Sequence, residues 1–246
     1  MGAVRIAAII PARMASKRLP GKPLLKVRDL PLVEHVRRRA LLCSRFSEVV
    51  VATCDSEVAE VVERYGGRAL MTSPDHPAAT ARVAEAARQL DCTHVVNVQG
   101  DELLILASDL ERMVSAIEAE PTVPAWNAVT AIEQAGELSD PSIVKCAVSV
   151  SGRILCCFRD CSPLAPKLGA GYEPIRQIVG VLGFSRTYME RYPALPRTPL
   201  EVAEAIDQSR ILEHDVLLRA VEFSKGYPAI NEPREVAFPN RYLEAD

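Results

Sequence analysis

Ile6-Ala7-Ala8-Ile9-Ile10-Pro11-Ala12-Arg13-Met14-Ala15-Ser16-Lys17-Arg18-Leu19-Pro20-Gly21-Lys22-Pro23-Leu24 decides how this chain is read. Its apolar start marks a buried strand over Val4–Ile10, which Pro11 is expected to end. A loop carrying the cations Arg13, Lys17, Arg18 and Lys22 follows. In an open α/β sheet, the carboxyl end of a strand is where ligands bind. Gly21 lets the backbone approach a phosphate, and the cations offset its charge. A solvated basic turn is the alternative.

Working outward, Leu32, His35, Val36 and Ala40 recur at helical spacing behind Pro31, which fits a first helical turn. Val49–Thr53 is a second buried strand. Asp55 or Ser56 caps a helix that presents Val58, Val61 and Val62 and stops at Gly66-Gly67. Arg68–Met71 is a short third strand. Thr80 is expected to cap a helix over Ala81–Leu90, and His94–Gln99 is a fourth strand ending at Gly100-Asp101-Glu102. Strands alternating with helices predict a mostly parallel sheet covered on both faces. The second half differs. Val144–Val150 and Arg153–Phe158 flank Ser151-Gly152, a hairpin signal. Cys161–Pro174 reads as a loop or lid, Ile178–Phe184 as a strand, Leu200–Glu213 as one helix, Val216–Val221 as a strand and Pro233–Leu243 as an imperfect terminal helix.

The chain has 246 residues, 48% of them apolar, enough for a sizeable core in one domain over residues 1–246. A formal charge of −3 gives no general affinity for nucleic acid. No apolar stretch approaches the roughly 20 residues that span a bilayer. Seven cysteines without regular spacing read as reduced thiols. Cys156, Cys157 and Cys161 lie close together but lack the two spaced pairs of a structural zinc site. A cytoplasmic protein is expected.

Asp101 follows a buried strand and a glycine, a position suited either to capping a turn or to holding a divalent cation. Mg²⁺ takes oxygen ligands, commonly one or two carboxylates plus substrate phosphates.

The opening loop and Gln99-Gly100-Asp101-Glu102 together resemble the cytidylyltransferases that activate sugar acids, above all the CMP-Kdo synthetase family. The resemblance implies a three-layer α/β nucleotide-diphospho-sugar transferase fold, Rossmann-like, with a small antiparallel dimerisation lobe near residues 140–175. It implies a homodimer, CTP as donor, a small acidic acceptor and Mg²⁺. Arg13, Lys22 and Asp101 are the implied catalytic groups. The nucleotide is expected against Pro11, Ala12, Arg13, Arg18, Lys22, Thr72, Ser73, His76, Thr80, Gln99 and Gly100. The acceptor is expected against Arg159, Arg176, Gln177, Glu204 and Asp207, and the metal on Asp101 and Asn231. Catalysis in such an enzyme is positioning plus charge compensation.

The chain departs from that pattern at several places. The family's His-x-Ser-Gly-Thr-Glu-Arg is His76-Pro77-Ala78-Ala79-Thr80-Ala81-Arg82 here, so Ala79 replaces a glycine and raises the question of a left-handed backbone. Its second metal carboxylate is replaced by Asn231, beside Glu232. Its Phe-Ser-Arg is Phe158-Arg159-Asp160, and its Arg-His-Leu-Gly-Ile-Tyr is Gln177-Ile178-Val179-Gly180-Val181-Leu182. These changes point to an acceptor related to Kdo rather than Kdo itself, or to a smaller acid such as a phosphonate. Two rivals are a nucleotidyltransferase using another base or an ordinary sugar phosphate, and a nucleotide-binding protein without catalysis.

Overall fold

The computed structural model describes residues 3–15, 19–168 and 172–226. Strand β1 (Ile6–Ala12) leads through a ribbon, β2 (Lys26–Val27) and β3 (Leu30–Pro31), into helix α1 (Leu32–Leu41). Then come β4 (Glu48–Thr53), α2 (Ser56–Arg64), β5 (Arg68–Met71), α3 (Ala79–Ala87) and β6 (His94–Val98). The chain continues through α4 (Ala107–Ala119), β7 (Ala125–Ala131), β8 (Lys145–Val148), β9 (Ile154–Phe158) and β10 (Ile175–Ser185). It ends its described course with α5 (Arg186–Arg191), α6 (Pro199–Glu204), α7 (Asp207–Glu213) and β11 (Leu218–Glu222).

The main sheet has the order β11-β7-β10-β6-β1-β4-β5. β1 runs parallel to β4 and β6, β4 to β5, and β7 to β11. Only β10 on this path runs antiparallel to its neighbours, and it also pairs with β8 of the β8–β9 hairpin. The α/β class and the antiparallel lobe are therefore as the sequence implies. Alternation along β1 builds the layers: Ile6, Ala8, Ile10 and Ala12 face one core with α1, α2 and α4. Ala7 and Ile9 face the other with α3, α5 and α7.

Several expectations need correction. Pro11 lies inside β1, opposite Ala52 of β4. β6 pairs with β1 only as far as Ile9, so one side of β1 is free beyond it and a missing N–H is tolerated there. Pro31 precedes α1 instead of opening it, and Thr80 lies inside α3, whose N-cap is Ala78. The helix read over Leu200–Glu213 is two helices, broken at Ala205 with φ 53°. The hairpin does turn at Ser151-Gly152, with Gly152 at φ 77°. α4 and β7 are additional elements. The helix expected at Pro233–Leu243 lies outside the described residues.

Candidate active site

β1 and β6 are adjacent and parallel, and their onward connections run toward opposite edges of the sheet, β1 to β4 and β6 to β7. That junction is a topological switch point, where the carboxyl ends of the strands leave a crevice. Pro11, Ala12 and Arg13 come from β1, and Gln99, Gly100 and Asp101 from the end of β6. They line one cleft of about 330 Å³ with Lys22, Pro23, Val33 and Ala79. A smaller chamber of about 80 Å³ shares Pro11, Ala12, Arg13 and Ala79 and adds His76, Ala78 and Arg82.

The cationic loop is anchored at both ends. Gly21 has φ 75°, a left-handed conformation that favours glycine, and its N–H donates to the Met14 carbonyl at 2.9 Å. The Met14 N–H in turn donates to the Asp55 carboxylate at 2.8 Å. Asp55 occupies the N-cap of α2 but makes no side-chain cap bond there. Its tether to the loop was not legible in the sequence, where it read only as a cap. Lys22 begins a short 3-10 turn and places its Nζ 2.8 Å from Asp101 Oδ2. Each side chain of this pair is only 15% exposed. Arg13 is exposed and has no ion-pair partner among the described residues.

The β6 end is set by close packing. A Cβ on Gly100 would sit 3.0 Å from the Pro11 carbonyl oxygen, so glycine lets the two strand ends approach. The Gln99 N–H donates to the Gly180 carbonyl at 2.8 Å, and the Gly180 N–H donates to Glu102 Oε1 at 2.7 Å. Glu102 is thus a strut between the turn and a bulge in β10. Burial, and then the neighbouring Asp101 charge, push its carboxyl up to about 8. The bulge is also held by Asn127, whose Nδ2 donates to the Val179 carbonyl at 3.0 Å while its Oδ1 accepts from Gln208 at 2.9 Å. Neither Glu102 nor Asn127 stood out in the sequence as a supporting residue.

The smaller chamber rests on α3. Ala79 is its first residue and has no left-handed backbone, so the alanine is accommodated without strain. Glu85 accepts the Ser73 N–H at 2.9 Å and binds the His76 ring. Burial alone would raise the Glu85 carboxyl; these two hydrogen bonds and the nearby His76 and Arg82 charges hold it below its usual range. Arg82 is buried, donating to the Thr72 hydroxyl and to the Cys54 thiol at 3.4 Å. Thr72 also donates to the Thr53 carbonyl at 3.0 Å.

Other expected residues stand apart from the cleft lining. Thr80 turns its hydroxyl to Asp207 Oδ2 at 3.4 Å. Burial, and then the Glu201 charge, raise the Asp207 carboxyl above its ordinary range. Arg159 donates to the carbonyls of Glu204 at 2.7 Å, Pro141 at 2.7 Å and Ala205 at 3.3 Å. Its N–H meets the Glu204 carboxylate at 3.3 Å. Arg176 pairs with Glu173 and Glu222, each at 3.0 Å. Gln177 pairs with Thr130 of β7 and Lys145 of β8. Lys145 is buried and ties the lobe together, donating to the carbonyls of Asp140, Ile143 and Arg159. Arg18 and Asn231 lie outside the described residues.

Among the described residues no group of three or more His, Cys, Asp or Glu side chains gathers as a metal centre. One cleft carboxylate beside exposed and half-buried cations fits a Mg²⁺ held chiefly through substrate phosphates. Among the described residues no helix is long and apolar enough to cross a membrane.

Comparison with known proteins shows the family. A family model described as Cytidylyltransferase matches residues 7–219. The chain is 34% identical over 225 residues to the 3-deoxy-manno-octulosonate cytidylyltransferase of Escherichia coli, covering 92% of this chain and 90% of that protein. It is 36% identical over 239 residues to the Myxococcus xanthus protein of the same name, covering 96% and 95%. A solved CMP:2-keto-3-deoxy-manno-octonic acid synthetase, complexed with CTP, superposes with a TM-score of 0.88 at 32% identity and covers 98% of each chain. The 4-diphosphocytidyl-2C-methyl-D-erythritol synthase of Anaerococcus prevotii shares the fold, with a TM-score of 0.66 at 13% identity over 98% of this chain and 99% of that one.

Proposed function

This chain belongs to the cytidylyltransferase family, and on that footing we propose that it transfers CMP from CTP to a 3-deoxy-2-keto sugar acid of the Kdo type. The acceptor hydroxyl oxygen forms a bond to the α-phosphorus and loses its proton. The bond from that phosphorus to the bridging oxygen breaks, and pyrophosphate leaves. The carrying observation is the single cleft shared by Pro11, Ala12, Arg13, Lys22, Gln99 and Asp101.

In this reading Arg13 and Lys22 compensate the triphosphate, and the Pro11-Ala12 backbone lies against the cytosine. Arg18, Thr72, Ser73, His76, Thr80, Gln99 and Gly100 complete the proposed nucleotide site. Asp101, with Asn231, is the proposed holder of Mg²⁺. When bound, that ion supplies charge compensation and lowers the pKa of the attacking hydroxyl. Glu204 and Asp207 remain acceptor-side candidates with Arg159, Arg176 and Gln177. The proposal extends to one domain over residues 1–246 and a homodimer formed through the β8–β9 lobe, where Leu155 and Val150 are exposed.

An acid related to Kdo is the second reading. Arg159 is engaged with backbone carbonyls and Arg176 with two glutamates, so neither guanidinium, as placed, is directed at an acceptor carboxylate. Pyrophosphate release is the test, using each of the four nucleoside triphosphates with Kdo and a panel of related acids and phosphonates. Turnover with CTP and a sugar acid supports the proposal. Release that prefers another triphosphate, or no release with any acid, refutes it. Efficient use of Kdo refutes the second reading.

A further inference from the structure

We propose that Lys22 is a stand-in cation on Asp101, keeping a divalent metal off the carboxylate until a triphosphate draws the ammonium away. The inference rests on reading the cleft as a cytidylyltransferase site. Its observation is the 2.8 Å contact between Lys22 Nζ and Asp101 Oδ2. Both side chains are 15% exposed, so water and salt screen the pair less than they would on an open surface.

Both partners are placed by local backbone hydrogen bonds. Gly21 is fixed in its left-handed turn by the Met14 carbonyl, and the Leu25 N–H closes back on the Lys22 carbonyl at 3.2 Å. On the other side, the Glu102 N–H donates to the Gln99 carbonyl at 3.0 Å, which shapes the turn bearing Asp101. Glu102 gives Asp101 no help as a ligand, because its carboxyl is turned to the Gly180 amide. Among the described residues no other acid or imidazole completes a metal cluster there. Among the described residues, the free site therefore offers a metal one carboxylate, already neutralised by a lysine.

A triphosphate changes that balance. Its oxygens are strong acceptors for an ammonium, and a lysine head is a compact charge on a flexible stem that can swing between partners. Once Lys22 moves to phosphate, Asp101 is released for the cation that the same phosphates bring. Metal and nucleotide then load together. By linkage, each raises the affinity of the other by the same factor. Lys22 has two successive partners, which no reading of it as a permanent phosphate clamp includes.

Mn²⁺ binding to the full chain, followed by electron paramagnetic resonance without nucleotide, tests this. Wild type and Asp101→Asn are expected to bind Mn²⁺ equally weakly. Lys22→Met is expected to bind it about tenfold more tightly or better, and Lys22→Met/Asp101→Asn to lose that gain. Far-UV circular dichroism checks that the variants fold. A tight wild-type site that Asp101→Asn abolishes overturns the proposal, and this arm needs no lysine variant. Equal Mn²⁺ affinity of folded Lys22→Met and wild type also overturns it. Failure of CTP turnover with every acid, with the Mn²⁺ pattern intact, instead removes the functional reading alone.

Discussion

Asp101 and Asp55 are both carboxylates just past a strand, yet the fold uses them differently. Asp101 faces the cleft and Lys22, so Asp101→Asn removes charge where phosphate chemistry is proposed. Its kcat/KM in pyrophosphate release is expected to fall by about 10²–10³-fold, the usual cost of losing one electrostatic contact to a transition state. Asp55 instead accepts the Met14 N–H that anchors the cationic loop. A hydrogen bond to a charged group contributes about 1.5–3 kcal/mol, so Asp55→Ala is expected to raise the KM for CTP about tenfold or more. Losing the same bond also removes folding stability, so the melting temperature should fall by several degrees, although α2 itself loses no side-chain cap. Steady-state kinetics and thermal melts on one preparation check both parts. Asp101 was legible because its setting, Gln99-Gly100-Asp101-Glu102, is a local motif. Asp55 and Glu102 were not, because their partners Met14 and Gly180 lie far away in sequence, and no local pattern records them.

At the level of elements, periodicity located β1, β4, β5 and β6 to within a residue or two. The same reasoning joined α6 and α7 into one helix. No glycine or proline marks the break, which falls on Ala205 in a left-handed conformation. The neighbouring structure imposes it: Arg159 donates to the carbonyls of Glu204 and Ala205. An alanine in that region is strained by roughly 1 kcal/mol. Ala205→Gly should therefore stabilise the protein by about 0.5 kcal/mol after the entropic cost of glycine. A small rise in thermal midpoint is expected, and a fall would contradict the strain argument. β7 was harder to read. Asn127 and Thr130 interrupt its apolar residues, and what makes it a strand is β10 on one side and β11 on the other. α4 did carry a signal, with Leu110, Met113, Val114 and Ile117 on one buried face.

Across the whole molecule, His94 joins distant segments where β6 begins. Its Nε2 donates to the Pro121 carbonyl at 3.0 Å, and its ring meets Trp126 edge-on. Burial pushes its pKa below the ordinary value of 6.5, against the smaller opposing effect of the Pro121 carbonyl. As pH falls through about 6.5 the unfolded chain takes up a proton that the folded chain does not. Stability is therefore lost as pH drops from 7 toward 5, and His94→Gln should flatten that part of the profile in melts across the range. The overall class was readable from alternating strands and helices, but the sheet order was not. Nothing local says that β10 enters between β6 and β7, since its pairing depends on which edges earlier strands leave open. That insertion also governs how the protein is made. As the ribosome delivers the chain, β6 and β7 emerge long before the strand that belongs between them, and each waits with a bare edge inviting a wrong neighbour. A product cut short before Ile175 is left with that gap permanently, so premature termination yields material destined for aggregates or proteolysis rather than a smaller working enzyme.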